Sequence, residues 1–163
     1  MTGETAHHYR ATVRWRHTSG DFVGATYDRA HEWVFDCGVV VPASPSPTIV
    51  PAPYSREDAI DPEEAFVAAI ASCHMLTFLG IAAKRRVASS SYEDEAVGEM
   101  TANAEGRLWV SRVTLAPRIA FPGDRPFDEE IARLHHLAHR ACFIANSVRT
   151  EIVVAGLAPH PQN

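Results

Sequence analysis

The side chains best suited to chemistry in this 163-residue sequence are three cysteines, Cys37, Cys73 and Cys142, and the histidines at 74, 135, 136 and 139. A thiol attacks only as the thiolate, so a reactive cysteine needs a neighbour that favours negative charge and some access to its target. Cys73 and Cys142 stand 69 residues apart, so only the fold can bring them together. The plain alternative is that both are small core residues, because free cysteine is among the most buried types. His135 and His139, spaced i, i+4, would place two imidazoles on one helix face. With His74, Cys73 and Cys142 they could make a tetrahedral metal site. Against that, the sequence has no Cys-x-x-Cys or His-Glu-x-x-His motif, and a solvated helix face accounts for His135, His136 and His139 more simply. Cys37 has no partner motif around it and reads as a bystander.

The elements that must position these residues follow from patterning. Residues 9–16 alternate, with Tyr9, Ala11, Val13 and Trp15 on one face and Arg10, Thr12, Arg14 and Arg16 on the other, which predicts a half-buried strand. A turn at 18–21, a return arm at 22–27 and a short strand at 31–35 follow. The Pro-rich stretch 41–60 is incompatible with a helix or a central strand and reads as an ordered loop. Asp61 is a good N-cap, Pro62 suits the first helical position and Glu64 sits where a capping box needs it. The helix they open should run to about Lys84. Its interior, 66–83, is apolar nearly all round, which predicts burial on most sides. The run is as long as the ~20 residues a membrane span needs, but Ser72, His74, Thr77 and Gly80 dilute it and no second span accompanies it, so a core helix is expected. Strands are expected at 96–102 and 108–121, with Pro117 marking an edge or bend. A second helix should start at Asp128 with an apolar stripe of Phe127, Ile131, Leu134, Ala138, Ala141 and Cys142. A last strand at 148–154 and a frayed tail at 158–163 complete the chain. Strands in runs separated by helices predict an α+β fold. The length predicts a single domain over 1–163 with its core at about 9–154.

Net charge is −5, with no basic bias, so nucleic acid is not an expected partner. Residues 1–10 lack the apolar run of a signal peptide, so the cytoplasm is the expected location. An odd, small number of cysteines there does not read as a structural disulfide framework, whereas a catalytic or sensing pair is compatible with that compartment.

Two segments carry a resemblance. Asp-Pro-Glu-Glu-Ala-Phe-Val-Ala-Ala-Ile-Ala-Ser-Cys, ending at Cys73, resembles the helix that ends in the first cysteine of the OsmC/Ohr proteins. Ala-His-Arg-Ala-Cys-Phe-Ile-Ala-Asn-Ser-Val, around Cys142, resembles the segment holding their second cysteine. The likeness extends over about residues 9–154. It implies antiparallel sheets around a long central helix, an intertwined homodimer, and a peroxidase that reduces organic hydroperoxides and in some cases hydrogen peroxide. Cys73 would be the peroxidatic thiolate, oxidised to a sulfenic acid, and Cys142 would condense with it to an intramolecular disulfide. A thiol or dithiol reductant, in Ohr-type members a lipoylated protein, would restore both. No cofactor is implied.

The resemblance also implies an activating carboxylate and arginine. The carboxylate aligns with Glu63. Ten residues of helix separate it from Cys73 by ~15 Å, so the two share a site only if a second copy of the helix runs antiparallel beside the first. The alternative is that Glu63 simply favours the helix N-terminus. Arg29, in Tyr-Asp-Arg-Ala-His, resembles the arginine of OsmC-like relatives, with Arg14 and Arg16 as rivals. His74 and Met75 follow the first cysteine where a Phe is common, and Phe143-Ile144-Ala145 follows the second where Ohr proteins carry proline. The chain therefore resembles the broader OsmC-like branch more than Ohr itself. Phe66, Met75, Phe78 and Phe143 could form an apolar mouth or simply pack the core. The rival reading is a stress or ligand-binding protein that keeps the scaffold without the chemistry. It would be marked by full burial of Cys73 or by cysteines too far apart to bridge.

Overall fold

The computed structural model describes residues 6–157, so the tail expected at 158–163 lies outside the described residues. The elements are β1 (Ala11–Arg14), β2 (Gly20–Asp21), β3 (Thr26–Tyr27), β4 (His31–Phe35), β5 (Val40–Ala43), α1 (Pro62–Lys84), β6 (Ser91–Asp94), β7 (Val97–Ala102), β8 (Leu108–Leu115), β9 (Pro117–Ala120), α2 (Asp128–Ala141), a 3-10 turn (Ala145–Ser147) and β10 (Glu151–Val154). Two helices with mostly antiparallel sheets make this an α+β fold. The chain divides into two compact units, Met1–Pro62 and Glu63–Asn163.

In the first unit, β1, β4 and β5 form an antiparallel sheet in that order, and β2 and β3 form a small hairpin. The hairpin ties back to β1 through an aromatic cluster of Trp15, Phe22 and Tyr27, and the Trp15 indole N–H donates to Asp28 O at 3.0 Å. The expected turn at 18–21 contributes strand β2. Part of the predicted Pro-rich loop is also a strand: β5 carries Pro42. It is tolerated because β5 is the edge of its sheet. Beyond β5 the loop is ordered around buried Ser44, whose hydroxyl accepts from Arg56 N–H at 2.8 Å. Cys37 is exposed in the tight turn between β4 and β5, closed by Gly38 N–H to Phe35 O at 3.0 Å. The expected half-burial of β1 is not met within this chain, where all four of its residues are exposed and Val13 stands 66% open.

In the second unit, β10, β8 and β7 form one sheet in that order. β7 runs antiparallel to β8 and β10 parallel to it, so the sheet is mixed. The N-terminal half of α1 lies on this sheet, with Ile70 packed among Val113, Leu115 and Ile152. The C-terminal half packs on α2, with Phe78 and Ala82 against Leu134 and Ala138. Burial on α1 falls on Ile70, His74, Phe78 and Ala82, a stripe with i, i+4 spacing. Burial on most sides is therefore a misreading for the single chain: Leu76, on another face, is 63% exposed. By length and composition α1 is long and apolar enough to cross a membrane, yet its stripe is engaged by the sheet and α2.

The strand expected over 108–121 breaks at Ala116 into β8 and β9, and β9 pairs with β6, which patterning did not reveal. Asp94 accepts the Ala116 N–H at 2.7 Å and so satisfies the backbone donor left at the break. Phe127 is not part of the α2 stripe: it is the extended residue before the helix and 84% exposed. Ala141 is exposed too.

Candidate functional site

The two helices meet at Cys73 and Cys142. Cys73 lies inside α1, half-buried, and Thr77 Oγ1 donates to its carbonyl at 2.8 Å. Cys142 closes α2 in an extended conformation, φ −72° and ψ 118°, and is fully buried. The chain then turns through Phe143 and Ile144 into the 3-10 turn. Asn146 fixes that turn: its side-chain amide donates to Arg140 O and Cys142 O, both at 3.0 Å, and its backbone N–H donates to Cys142 O at 3.1 Å.

The turn aims two backbone amides at sulfur. Ile144 N–H donates to Cys73 Sγ at 3.5 Å, and Ala145 N–H donates to Cys142 Sγ at 3.5 Å. The Cys142 thiol itself donates to Cys73 Sγ at 2.9 Å. Cys73 sulfur is thus the acceptor of two hydrogen bonds, the arrangement a sulfur carrying negative charge requires. Burial, and then the hydrogen bond to Cys73, push the Cys142 thiol up to about 11, so it stays protonated at neutral pH. The asymmetry separates the pair into an acceptor and a proton-bearing partner within reach of a disulfide.

Of the other expected residues, Glu63 sits in the first turn of α1, half-buried, on the same uninterrupted helix as Cys73. It makes no hydrogen bond or ion pair among the described residues. Arg29 lies in the first unit, with its guanidinium 4.2 Å over the Tyr27 ring and donating to Tyr27 O at 3.3 Å and Ala25 O at 3.1 Å. Arg14 and Arg16 line an open cleft of the same unit with Arg56, His31 and Glu32. Of the apolar-mouth residues, Phe78 is wholly core, Phe66 packs against the sheet core, Met75 is half-buried and Phe143 is 81% exposed beside Cys142.

The reading of His135 as part of a solvated face is wrong. His135 is 3% and His74 1% exposed, and His74 Nε2 meets His135 Nδ1 at 3.0 Å with nearly parallel rings. The pair is closed on one side by Phe78, whose ring centroid is 4.5 Å from that of His135. No group of three or more metal-ligating side chains gathers among the described residues. Burial, reinforced by His135 and His139, pushes His74 down to about 3, and burial with His136 nearby pushes His135 down to about 4. Both rings are neutral at pH 7, which leaves one donor and one acceptor for the shared bond.

A pH dependence follows. The folded values lie below the ordinary histidine value of 6.5. The unfolded chain therefore takes up two protons that the folded chain refuses as pH falls. Stability contributed by the pair is complete above pH 6.5 and is lost from there down to about pH 3, at up to ~1.4 kcal/mol per histidine per pH unit. Urea midpoints should fall between pH 7.5 and 5.5, and His74→Phe/His135→Leu should flatten that slope. An unchanged slope would place the charge uptake elsewhere.

Sequence reasoning missed the Ile144 and Ala145 amides, Asn146 and the imidazole pair. The signal for the first three is an Asn four residues after Cys142, able to staple a turn. For the pair it is an imidazole inside an otherwise apolar stripe of α1.

The OsmC-like protein family model matches residues 55–155. An OsmC-like protein of unknown function from Vibrio cholerae is 48% identical, with a TM-score of 0.88 over 91% of this chain and 98% of that one. The organic hydroperoxide resistance protein OhrB of Bacillus subtilis shares the fold at 18% identity and a TM-score of 0.64, covering 91% of this chain and 95% of its own. An organic hydroperoxide resistance protein from Elizabethkingia anophelis does so at 20% and 0.69, covering 93% and 94%. No curated protein matches by sequence.

Proposed function

The chain belongs to the OsmC-like family, and from that premise we propose that it is a thiol-dependent peroxidase acting on organic hydroperoxides. The observation that supports the reading is the Cys73–Cys142 contact, 2.9 Å between sulfurs with a backbone amide on each. The Cys73 thiolate attacks the terminal oxygen of the hydroperoxide, the O–O bond breaks, and the alcohol leaves after taking a proton. Cys73 is left as the sulfenic acid. Cys142 attacks that sulfur, water leaves, and a disulfide forms. A dithiol then reduces it by exchange, supplying two electrons and two protons and leaving as its own disulfide.

Neither mark of a chemically inert scaffold is present: Cys73 is half-buried and its partner sulfur lies within bridging reach. Phe143 beside the pair fits an alkyl hydroperoxide better than hydrogen peroxide. The test is steady-state consumption of tert-butyl hydroperoxide with dihydrolipoamide as reductant. Turnover that saturates with peroxide supports the reading, and a rate equal to the protein-free control contradicts it.

Dimerisation belongs to the same proposal. A single chain leaves Leu76 of α1 63% exposed, on a helix whose buried stripe already engages the sheet and α2. Glu63, fixed on the helix of its own Cys73, would reach a sulfur only from a neighbouring copy. Sedimentation should give about twice 17.9 kDa, and Glu63→Gln should slow peroxide reduction about tenfold or more, as loss of a charged active-site contact does. A monomer at micromolar concentration would remove Glu63 from the mechanism.

A further inference from the structure

We propose that the buried His74–His135 pair is a positioning device for the cysteine couple: it sets the register of α2 on α1 and thereby holds Cys142 against Cys73. The inference rests on the reading that the two cysteines act as a couple. His74 follows Cys73 in α1. His135 precedes Cys142 by seven residues, about two helical turns, so both occupy the same side of α2. The imidazoles meet at 3.0 Å within a contact otherwise made of Phe78, Ala82, Leu134 and Ala138. Apolar burial is non-directional and by itself specifies a register less sharply than a hydrogen bond does. A buried polar pair fixes it, because any other register leaves ring nitrogens dry and unpaired. His74 Nδ1 already has no hydrogen-bond partner among the described residues, so Nε2 carries the whole polar attachment of that ring.

Among the described residues, the imidazole pair joins α1 to α2, and the sulfurs join α1 to the residue that closes α2. The sulfur contact changes at every chemical step, from thiol pair to sulfenic acid to disulfide. The imidazole contact is not altered by any of them, and so preserves the approach of the helices through the cycle. Neither ring hydrogen-bonds a sulfur, so both are positioning residues.

The experiment is the equilibrium of the Cys73–Cys142 disulfide with dithiothreitol, read by thiol count. Two thiols form one S–S bond, and their two electrons and two protons pass to oxidised dithiothreitol. His135→Leu keeps the bulk without the hydrogen bond and should lower the equilibrium constant for the disulfide about tenfold. His135→Asn places an amide near the Nδ1 position and should restore most of it. Circular dichroism and the thermal midpoint verify folding. Should His135→Leu not fold, His74→Phe carries the same expectation. A folded Leu or Phe variant with the wild-type constant overturns the proposal, as does equal loss in Leu and Asn variants. Wild type that forms the disulfide with oxidised dithiothreitol yet ignores peroxide contradicts the peroxidase reading and leaves this inference standing.

Discussion

Cys73→Ser brings hydroperoxide consumption down to the protein-free background, a loss of roughly three orders of magnitude or more, equivalent to at least ~4 kcal/mol of barrier. A serine hydroxyl is not ionised at neutral pH and has no oxidation state corresponding to a sulfenic acid, so the O–O bond meets no nucleophile and no electron source. The position is otherwise forgiving. Cys73 is half-buried on a continuous helix, and its carbonyl, not its sulfur, receives the Thr77 bond. The variant should therefore fold with an unchanged far-ultraviolet spectrum, separating lost chemistry from lost structure. Peroxidase turnover retained in Cys73→Ser would refute the assignment of the nucleophile.

Cys142→Ser has the second largest effect and a different form. The first oxidation proceeds, because the attacking sulfur and the Ile144 amide remain. Turnover then stalls at the sulfenic acid, and excess peroxide drives it to the irreversible sulfinic acid. In wild type, the thiol pushed up to about 11 leaves Cys142 as thiolate in about one molecule in ten thousand at pH 7. That deficit would make resolution slow in solution. Fixed contact offsets it, since well-oriented intramolecular reactions reach effective molarities of roughly 10⁵–10⁸ M. Disulfide closure should accelerate as pH rises above neutral, while the mass of the variant should show one added oxygen, then two. A variant that turns over at the wild-type rate would mean that an external thiol resolves Cys73 and that Cys142 is structural.

Local signals were legible where the chemistry of the residue forces geometry. Asp61-Pro62 and Lys84 bracket the observed α1, and Asp128 opens α2. Where a side chain has two lives, the sequence did not choose. Pro42 could end a strand or sit on its edge, and only β4 on one side of β5 decides it. β6 carries little signal because Ser91, Glu93 and Asp94 are polar, although Tyr92 and Asp94 turn inward. His135 and His139 share helical spacing, but nothing in the spacing tells which imidazole meets α1 and which meets solvent. The α1 run looked uniformly buried because apolar composition names no partner, and one chain supplies protein to only part of its circumference. The meeting of Cys73 and Cys142 across 69 residues was accessible through resemblance alone; the amides of Ile144 and Ala145 show in residue identity only indirectly, through the Asn146 that staples their turn.

The central claim, a Cys73–Cys142 couple oxidised by hydroperoxide, is tested most directly by intact mass and thiol count after one equivalent of tert-butyl hydroperoxide. The account predicts the loss of two thiols and a Cys73–Cys142 disulfide, with Cys37, exposed in its turn, left free. Three intact thiols after that treatment would contradict it.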